Sequence, residues 1–135
     1  MRKLIKHVRF IKKILEHSQI YKPVLVTLCI THRCNLNCVY CYRGKNDQKD
    51  LTTNEILNLI DDLYAKGMRY ISLNGGEPLL REDLPLIIDK IQQKNILCHI
   101  STNGLLVPKN IDILKKIDSI TLSLDGFELN TSVDI

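Results

Sequence analysis

After Pro23 the chain alternates strand-like and helix-like stretches, and that alternation constrains its fold more than any other feature. "VLVTLCIT" (24–31) is a near-continuous apolar run with β-branched residues, the pattern of a parallel strand buried on both faces. "RYISL" (69–73), "ILCHIS" (96–101) and "SITLSL" (119–124) read as three further strands. Between them lie helical periods. Thr52 and Glu55 fit a capping box with Leu51 and Ile56 as its staple; Ile56, Ile60, Leu63 and Tyr64 trace one face, and Gly67 stops the helix. Asp83 starts a second helix with Pro85 in its tolerant first turn, Leu84, Ile87, Ile88 and Ile91 inward, and Asn95 at its close. Residues 108–117 form a short third helix. Right-handed crossovers make a β-α-β-α-β-α-β chain an α/β parallel sheet with helices outside, either curved as part of a barrel or open as a doubly wound sheet.

The segment before Pro23 has a different character. Residues 1–22 carry seven basic side chains against Glu16 alone, so the net charge of +4 belongs to this end of the chain. Leu4, Val8, Ile11 and Leu15, with Ile5 and Ile14 alongside, recur at helical spacing. The organisation is therefore a basic amphipathic helix (1–22) and one α/β domain (23–135). Such a helix could lie on a membrane or nucleic acid; the plainer expectation, adopted here, is a leader helix packed on the domain with its lysines in water and neither partner engaged. The longest strongly apolar stretch, 24–30, falls far short of the ~20 residues that span a bilayer, and basic residues interrupt any secretory pattern. A cytoplasmic protein is expected.

In parallel α/β folds ligands gather at the C-terminal ends of the strands. Here each strand ends in an unusual peptide: "CNLNCVYC" (34–41) after the first, "NGGEP" (74–78), "STNG" (101–104) and "SLDG" (123–126). All four are expected on one rim. Each glycine peptide alone is ordinary turn chemistry, and Asp125 could simply cap its own turn. Three thiols within eight residues are more specific, because thiols stay reduced in the cytosol and five cysteines there point to metal or catalysis before disulfides.

Structural zinc or an iron–sulfur cluster ordinarily takes four protein ligands, and this loop offers three thiolates. Cys29 and Cys98 lie inside strands and read as small buried core residues. Three thiolates would leave one iron of a cluster open to a small molecule; Cys34, Cys38 and Cys41 with His32 could instead hold tetrahedral zinc in an interaction domain. Arg33 and Arg43 flank the loop and are taken as solvated charge.

Cys34-x3-Cys38-x2-Cys41, with Tyr40 before the last cysteine, resembles the signature of the radical S-adenosylmethionine (radical SAM) enzymes. "GGEP" (75–78), "STNG" and "SLDG" resemble further motifs of that family, and the context "TLCITHRCNLNCVYCY" is most similar to its peptide- and protein-modifying, sulfatase-maturase-like branch. The resemblance implies that Cys34, Cys38 and Cys41 each ligate one iron of a [4Fe–4S] cluster and that SAM chelates the fourth. It also implies reductive cleavage of SAM to a 5′-deoxyadenosyl radical, hydrogen abstraction from a peptide or protein, and a flavodoxin- or ferredoxin-like electron donor. The implied cofactor-binding residues are Tyr40 as an apolar face for adenine, Gly75, Gly76, Glu77 and Pro78 around the methionyl amine, and Thr102, Asn103 and Ser123 toward carboxylate or ribose. The family's core is a six-stranded, TIM-like partial barrel, of which four strands are legible here. The chain is thus expected to be the cofactor-binding part of such an enzyme, associating with itself or with a completing chain; a non-catalytic cluster-binding module is the alternative.

Overall fold

The computed structural model describes residues 2–16, 22–41 and 49–124. Its elements are α1 (Arg2–Glu16), β1 (Leu25–Thr31), α2 (Thr53–Ala65), β2 (Tyr70–Gly75), α3 (Leu84–Gln93), β3 (Leu97–Thr102), α4 (Ile111–Leu114) and β4 (Ser119–Leu122). Short 3-10 turns stand at Pro78–Leu80 and Val107–Lys109. All strand pairs are parallel, in the spatial order β1-β2-β3-β4. That order, with α2 and α3 packed together, decides between the two candidate architectures. A doubly wound sheet reverses its strand order at a switch point, whereas unbroken sequential order is how a (β/α) barrel curls. The fold is a four-stranded, TIM-like partial barrel.

Local signals set the helix boundaries. Thr52 Oγ1 accepts from the Glu55 amide at 3.3 Å while the Glu55 carboxylate accepts from the Thr52 amide at 2.7 Å, the reciprocal capping box. Gly67 (φ +116°) ends α2, and Asn95 (φ +54°) follows α3. Ile56 and Ile60 of α2 and Ile87, Ile88 and Ile91 of α3 are buried on Ile71, Leu73 and Ile100 of the sheet. Each such side chain contributes about 1.5–3 kcal/mol through burial, so this helix-covered face supplies the main favourable term in stability.

Four expectations are corrected. The strand 24–31 is not buried on both faces: Leu25, Thr27 and Cys29 are exposed, because helices cover only one side of β1. Cys29 is accordingly an exposed residue and not a core one, its thiol directed to the Thr31 carbonyl at 3.5 Å, while Cys98 is buried and its thiol is pushed up to about 12 by desolvation first and the nearby Asp118 second. The third helix is broken into a 3-10 turn and the four residues of α4. Pro108 lacks an amide for a regular helix, and Asn110, at φ −120°, turns its side-chain amide back to the Leu106 carbonyl at 2.8 Å.

The last correction concerns α1, whose lysines are not all in water. Lys6 is only 3% exposed and donates to Asp118 at 2.9 Å and to Gln92 at 3.0 Å. Phe10 meets Tyr70, the first residue of β2, with the rings tilted at 40° and their centroids 5.7 Å apart. The helix is therefore tied to the N-terminal end of the sheet through Lys6 and Phe10, leaving Leu4, Val8, Ile11 and Leu15 exposed. The carboxylate just before β4 is the reason: the Asp118 side chain is only 9% exposed, and a cation beside it offsets the cost of withdrawing its charge from water. Among the described residues no helix is long and apolar enough to cross a membrane.

Candidate cofactor site at the strand ends

Just beyond Thr31 the chain enters the cysteine loop. Cys34 and Cys41 are exposed and Cys38 is half-buried; a turn closes between the Cys41 amide and the Cys38 carbonyl at 3.0 Å, and the Leu36 amide points at Cys34 Sγ at 3.4 Å. Among the described residues no three His, Cys, Asp or Glu side chains converge on a single ion. Three separate thiolates suit a four-iron cluster in which three irons take one thiolate each and the fourth is left to another ligand.

The glycine turn after β2 is what the loop rests on. Gly76 donates to the Thr31 carbonyl at 2.9 Å and Glu77 donates to the Arg33 carbonyl at 2.8 Å. A Cβ on Gly76 would stand 2.0 Å from the Arg33 oxygen, and one on Gly75 would stand 2.7 Å from the Thr31 oxygen. Both glycines therefore admit the close passage of the cysteine loop's own backbone. Pro78 then starts the 3-10 turn and is buried.

Glu77 is fully buried. Oε1 accepts from the Leu79 amide at 3.0 Å and the Thr102 hydroxyl at 2.8 Å, and Oε2 accepts from the Asn103 amide at 2.8 Å. One carboxylate thus bridges the ends of β2 and β3, with acceptor capacity left on Oε2. Asn103 continues the bridge outward, its side-chain amide donating to Asn35 of the cysteine loop at 2.8 Å. Tyr40 stands on the loop with 62% exposure, and Ser123 is exposed where its amide meets the Thr102 carbonyl at 2.9 Å. The structure thus brings Cys34, Cys38, Cys41, Tyr40, the Gly75–Pro78 turn, Thr102, Asn103 and Ser123 to one rim. Arg43, Asp125 and Gly126 lie outside the described residues.

Two features of this rim escape sequence reasoning. Asp50, beyond the loop, accepts from the Thr31 hydroxyl and the His32 amide, each at 2.6 Å, and from Arg33 Nε at 3.3 Å. Burial opposes its charge, but these bonds outweigh burial and hold its pKa below the ordinary carboxylate value. Below the rim, on the face away from α2 and α3, Ser72 Oγ lies 2.8 Å from His99 Nδ1, and His99 Nε2 lies 2.9 Å from Thr121 Oγ1. Burial lowers the His99 pKa and favours the neutral ring. Alternation along "ISLN" and "CHIST" was the available signal for this polar row.

Comparison with known proteins agrees with this geometry. The profile of the radical SAM superfamily matches residues 28–131. The chain is 39% identical over 120 residues to Fe-coproporphyrin III synthase of Methanosarcina barkeri, covering 87% of this chain and 29% of the relative. It is 40% identical over 107 residues to a probable GTP 3′,8-cyclase of Methanococcus maripaludis, covering 75% and 36%. The chain therefore spans about a third of the length of these curated relatives. Its fold superposes on the crystal structure of Streptococcus suis SuiB bound to S-adenosylmethionine with a TM-score of 0.74 at 20% identity, over 98% of this chain and 32% of SuiB. Proteins of the family use a [4Fe–4S] cluster and SAM, the pair implied by the three-thiol loop on this rim. With its parallel partial barrel, its cysteine loop and a profile match across most of its length, the chain belongs to the radical SAM superfamily.

Proposed function

We propose that this chain is the cofactor-binding part of a radical SAM enzyme, with Cys34, Cys38 and Cys41 each holding one iron of a [4Fe–4S] cluster and SAM chelating the fourth. The observation that carries this reading is that the cysteine loop is bonded directly to both neighbouring strand-end motifs, through Glu77 to Arg33 and through Asn103 to Asn35. Thiols held in this way form a prepared cradle, and the exposure of Cys34 and Cys41 leaves one side accessible to a ligand. When bound, the reduced cluster and SAM supply a 5′-deoxyadenosyl radical for hydrogen abstraction. The chain's own residues then bind and orient. Tyr40 would offer a ring face to the adenine, the Gly75–Pro78 turn with Glu77 would serve the methionyl amine, and Thr102, Asn103 and Ser123 would serve the carboxylate and ribose.

For the hydrogen donor we infer a peptide or protein, supported by the sequence around the cysteines and by the likeness to SuiB bound to its precursor peptide SuiA, with a TM-score of 0.73. A small-molecule substrate is the second reading, favoured by the 39% and 40% identity to a coproporphyrin synthase and a GTP cyclase. The electron comes from a flavodoxin- or ferredoxin-like donor, the setting is the reducing cytoplasm, and a completing chain or a further copy of this one is a further proposed partner.

The test is anaerobic reconstitution with iron and sulfide, followed by electron paramagnetic resonance of the reduced protein with and without SAM. A four-iron cluster whose spectrum changes on adding SAM, and which is lost in Cys38→Ala, is the expected result. Zinc retained in place of iron, or a spectrum indifferent to SAM, would overturn the reading.

A further inference from the structure

The cysteine loop leaves β1 at Thr31 and comes back at Asp50 and Leu51, and one guanidinium spans that opening. Arg81 Nη1 donates to the carbonyls of Ile30 at 2.5 Å and Leu51 at 3.0 Å, one on each side of the excursion. Its Nε and Nη2 donate to the two oxygens of Asp83 at 2.7 and 2.6 Å. Asp83 is itself fixed by the Thr53 hydroxyl at 2.6 Å, at the first turn of α2. Arg81 is 7% exposed, so a nearly buried cation holds two backbone segments and one helix start together.

Asp50 closes the same opening from the other side. It reaches across the 19 positions that separate it from Thr31 and takes the side chain or amide of Thr31, His32 and Arg33. The charges favour one another as well, since Asp83 and, more weakly, Asp50 stabilise the Arg81 cation. None of these groups is a thiol. They act on the loop's two ends, and every bond made there shortens the stretch whose closure entropy cluster assembly must overcome.

We infer that Arg81 and Asp50 form the neck of the cysteine loop and act as positioning residues that hold Cys34, Cys38 and Cys41 ready for cluster uptake. The inference rests on the reading of that loop as a cluster cradle. It also explains the residue type. A lysine keeps the charge, but its three donors radiate from one atom, whereas the planar fork of arginine reaches two carbonyls and both oxygens of a carboxylate simultaneously.

The test compares the wild type, Arg81→Lys, Asp50→Asn and the double variant as the same full chain. Folding is checked by circular dichroism, amide exchange is read before reconstitution, and iron and sulfide per chain are read after it. In Arg81→Lys the amides of 32–36 are expected to exchange about tenfold faster while those of α2 and α3 keep their protection. Cluster affinity is expected to fall by about tenfold, as for residues that orient metal ligands without touching the metal. Asp50→Asn, which keeps shape and one acceptor oxygen, gives a smaller change in the same direction and carries the comparison should Arg81→Lys unfold. The double variant loses no more cluster than Arg81→Lys, since both residues serve one neck. Wild-type uptake matched by both single variants, with unchanged loop exchange, overturns the neck and leaves the cradle reading intact. A wild type that takes up no cluster overturns the cradle, and the neck's purpose with it.

Discussion

On the helix-covered face of the sheet, Ile71 and Leu73 of β2 stand in register with Cys98 and Ile100 of β3, and all four are fully buried; on the opposite face Thr27, Ser72, His99 and Ser119 form one register row across four strands. The first row is closed by Ile56, Ile60, Ile87 and Ile88 from the helices. The second is linked by hydrogen bonds between Ser72 and His99 and between His99 and Thr121, which stands two positions beyond Ser119 on β4. Period-two alternation lets one sheet separate the two tasks: apolar burial on one side stabilises the fold, and polar groups on the other remain available beneath the rim where the cysteine loop sits. A region that contributes little to stability is free to serve binding and chemistry.

The comparison breaks most visibly in the core. Ile71→Ala is expected to cost about 2–5 kcal/mol by leaving a cavity, whereas Thr27→Ala on the opposite face should cost less than about 1 kcal/mol, read from urea midpoints at constant slope. Equal losses would mean that the polar face is as much a core as the apolar one. At the rim, Gly76→Ala places a Cβ 2.0 Å from the Arg33 carbonyl, where no flexible side chain can yield. A cost of about 1–3 kcal/mol and reduced iron uptake are expected, and normal uptake would show that the loop tolerates displacement.

The smallest effect is one of pH. Burial of Ile71 and Leu73 does not titrate, so acid sensitivity should come from carboxylates near the rim. The bonds from Arg81 first, then Thr53, outweigh burial and hold the Asp83 pKa at about 2 against an ordinary 3.8. A carboxylate depressed in the folded state contributes stability that is present above its unfolded pKa and is lost as pH falls through its folded value. Wild-type stability should therefore decline from about 3.8 toward about 2, with a shallower decline in Asp83→Asn. Identical slopes would place the acid-sensitive contact elsewhere.

Much of the architecture was legible because its signals are local. The capping box at Thr52 and Glu55, the left-handed residues Gly67 and Asn95, and strand ends correct to within one or two positions all depend on neighbours in sequence. Reading 108–117 as one helix failed where a local competitor won, the backbone bond made by the Asn110 side chain. The exposure of Cys29 and the burial of Lys6 were hidden for another reason. Both depend on which elements lie across the sheet or at its lower end, and no periodicity records that.

The site divides the same way. The three cysteines, the glycine turn and the asparagine after β3 are visible as motifs, and the rule that parallel strands share one functional end predicts their common rim. That Gly76 faces the Arg33 backbone, that Glu77 bridges two strand ends, and that Arg81 and Asp50 close the loop required the fold. The sequence by itself determined the parallel α/β class, the strand-end position of the chemistry and the thiol count, since these follow from local pattern and residue type. Only the tertiary structure decided sequential barrel order over a doubly wound sheet, which face α2 and α3 cover, and what holds the cysteine loop in place. Those depend on contacts between residues far apart in the chain, such as Lys6 with Asp118 and Arg81 with Ile30, whose pairing is set by packing and leaves no mark in sequence spacing.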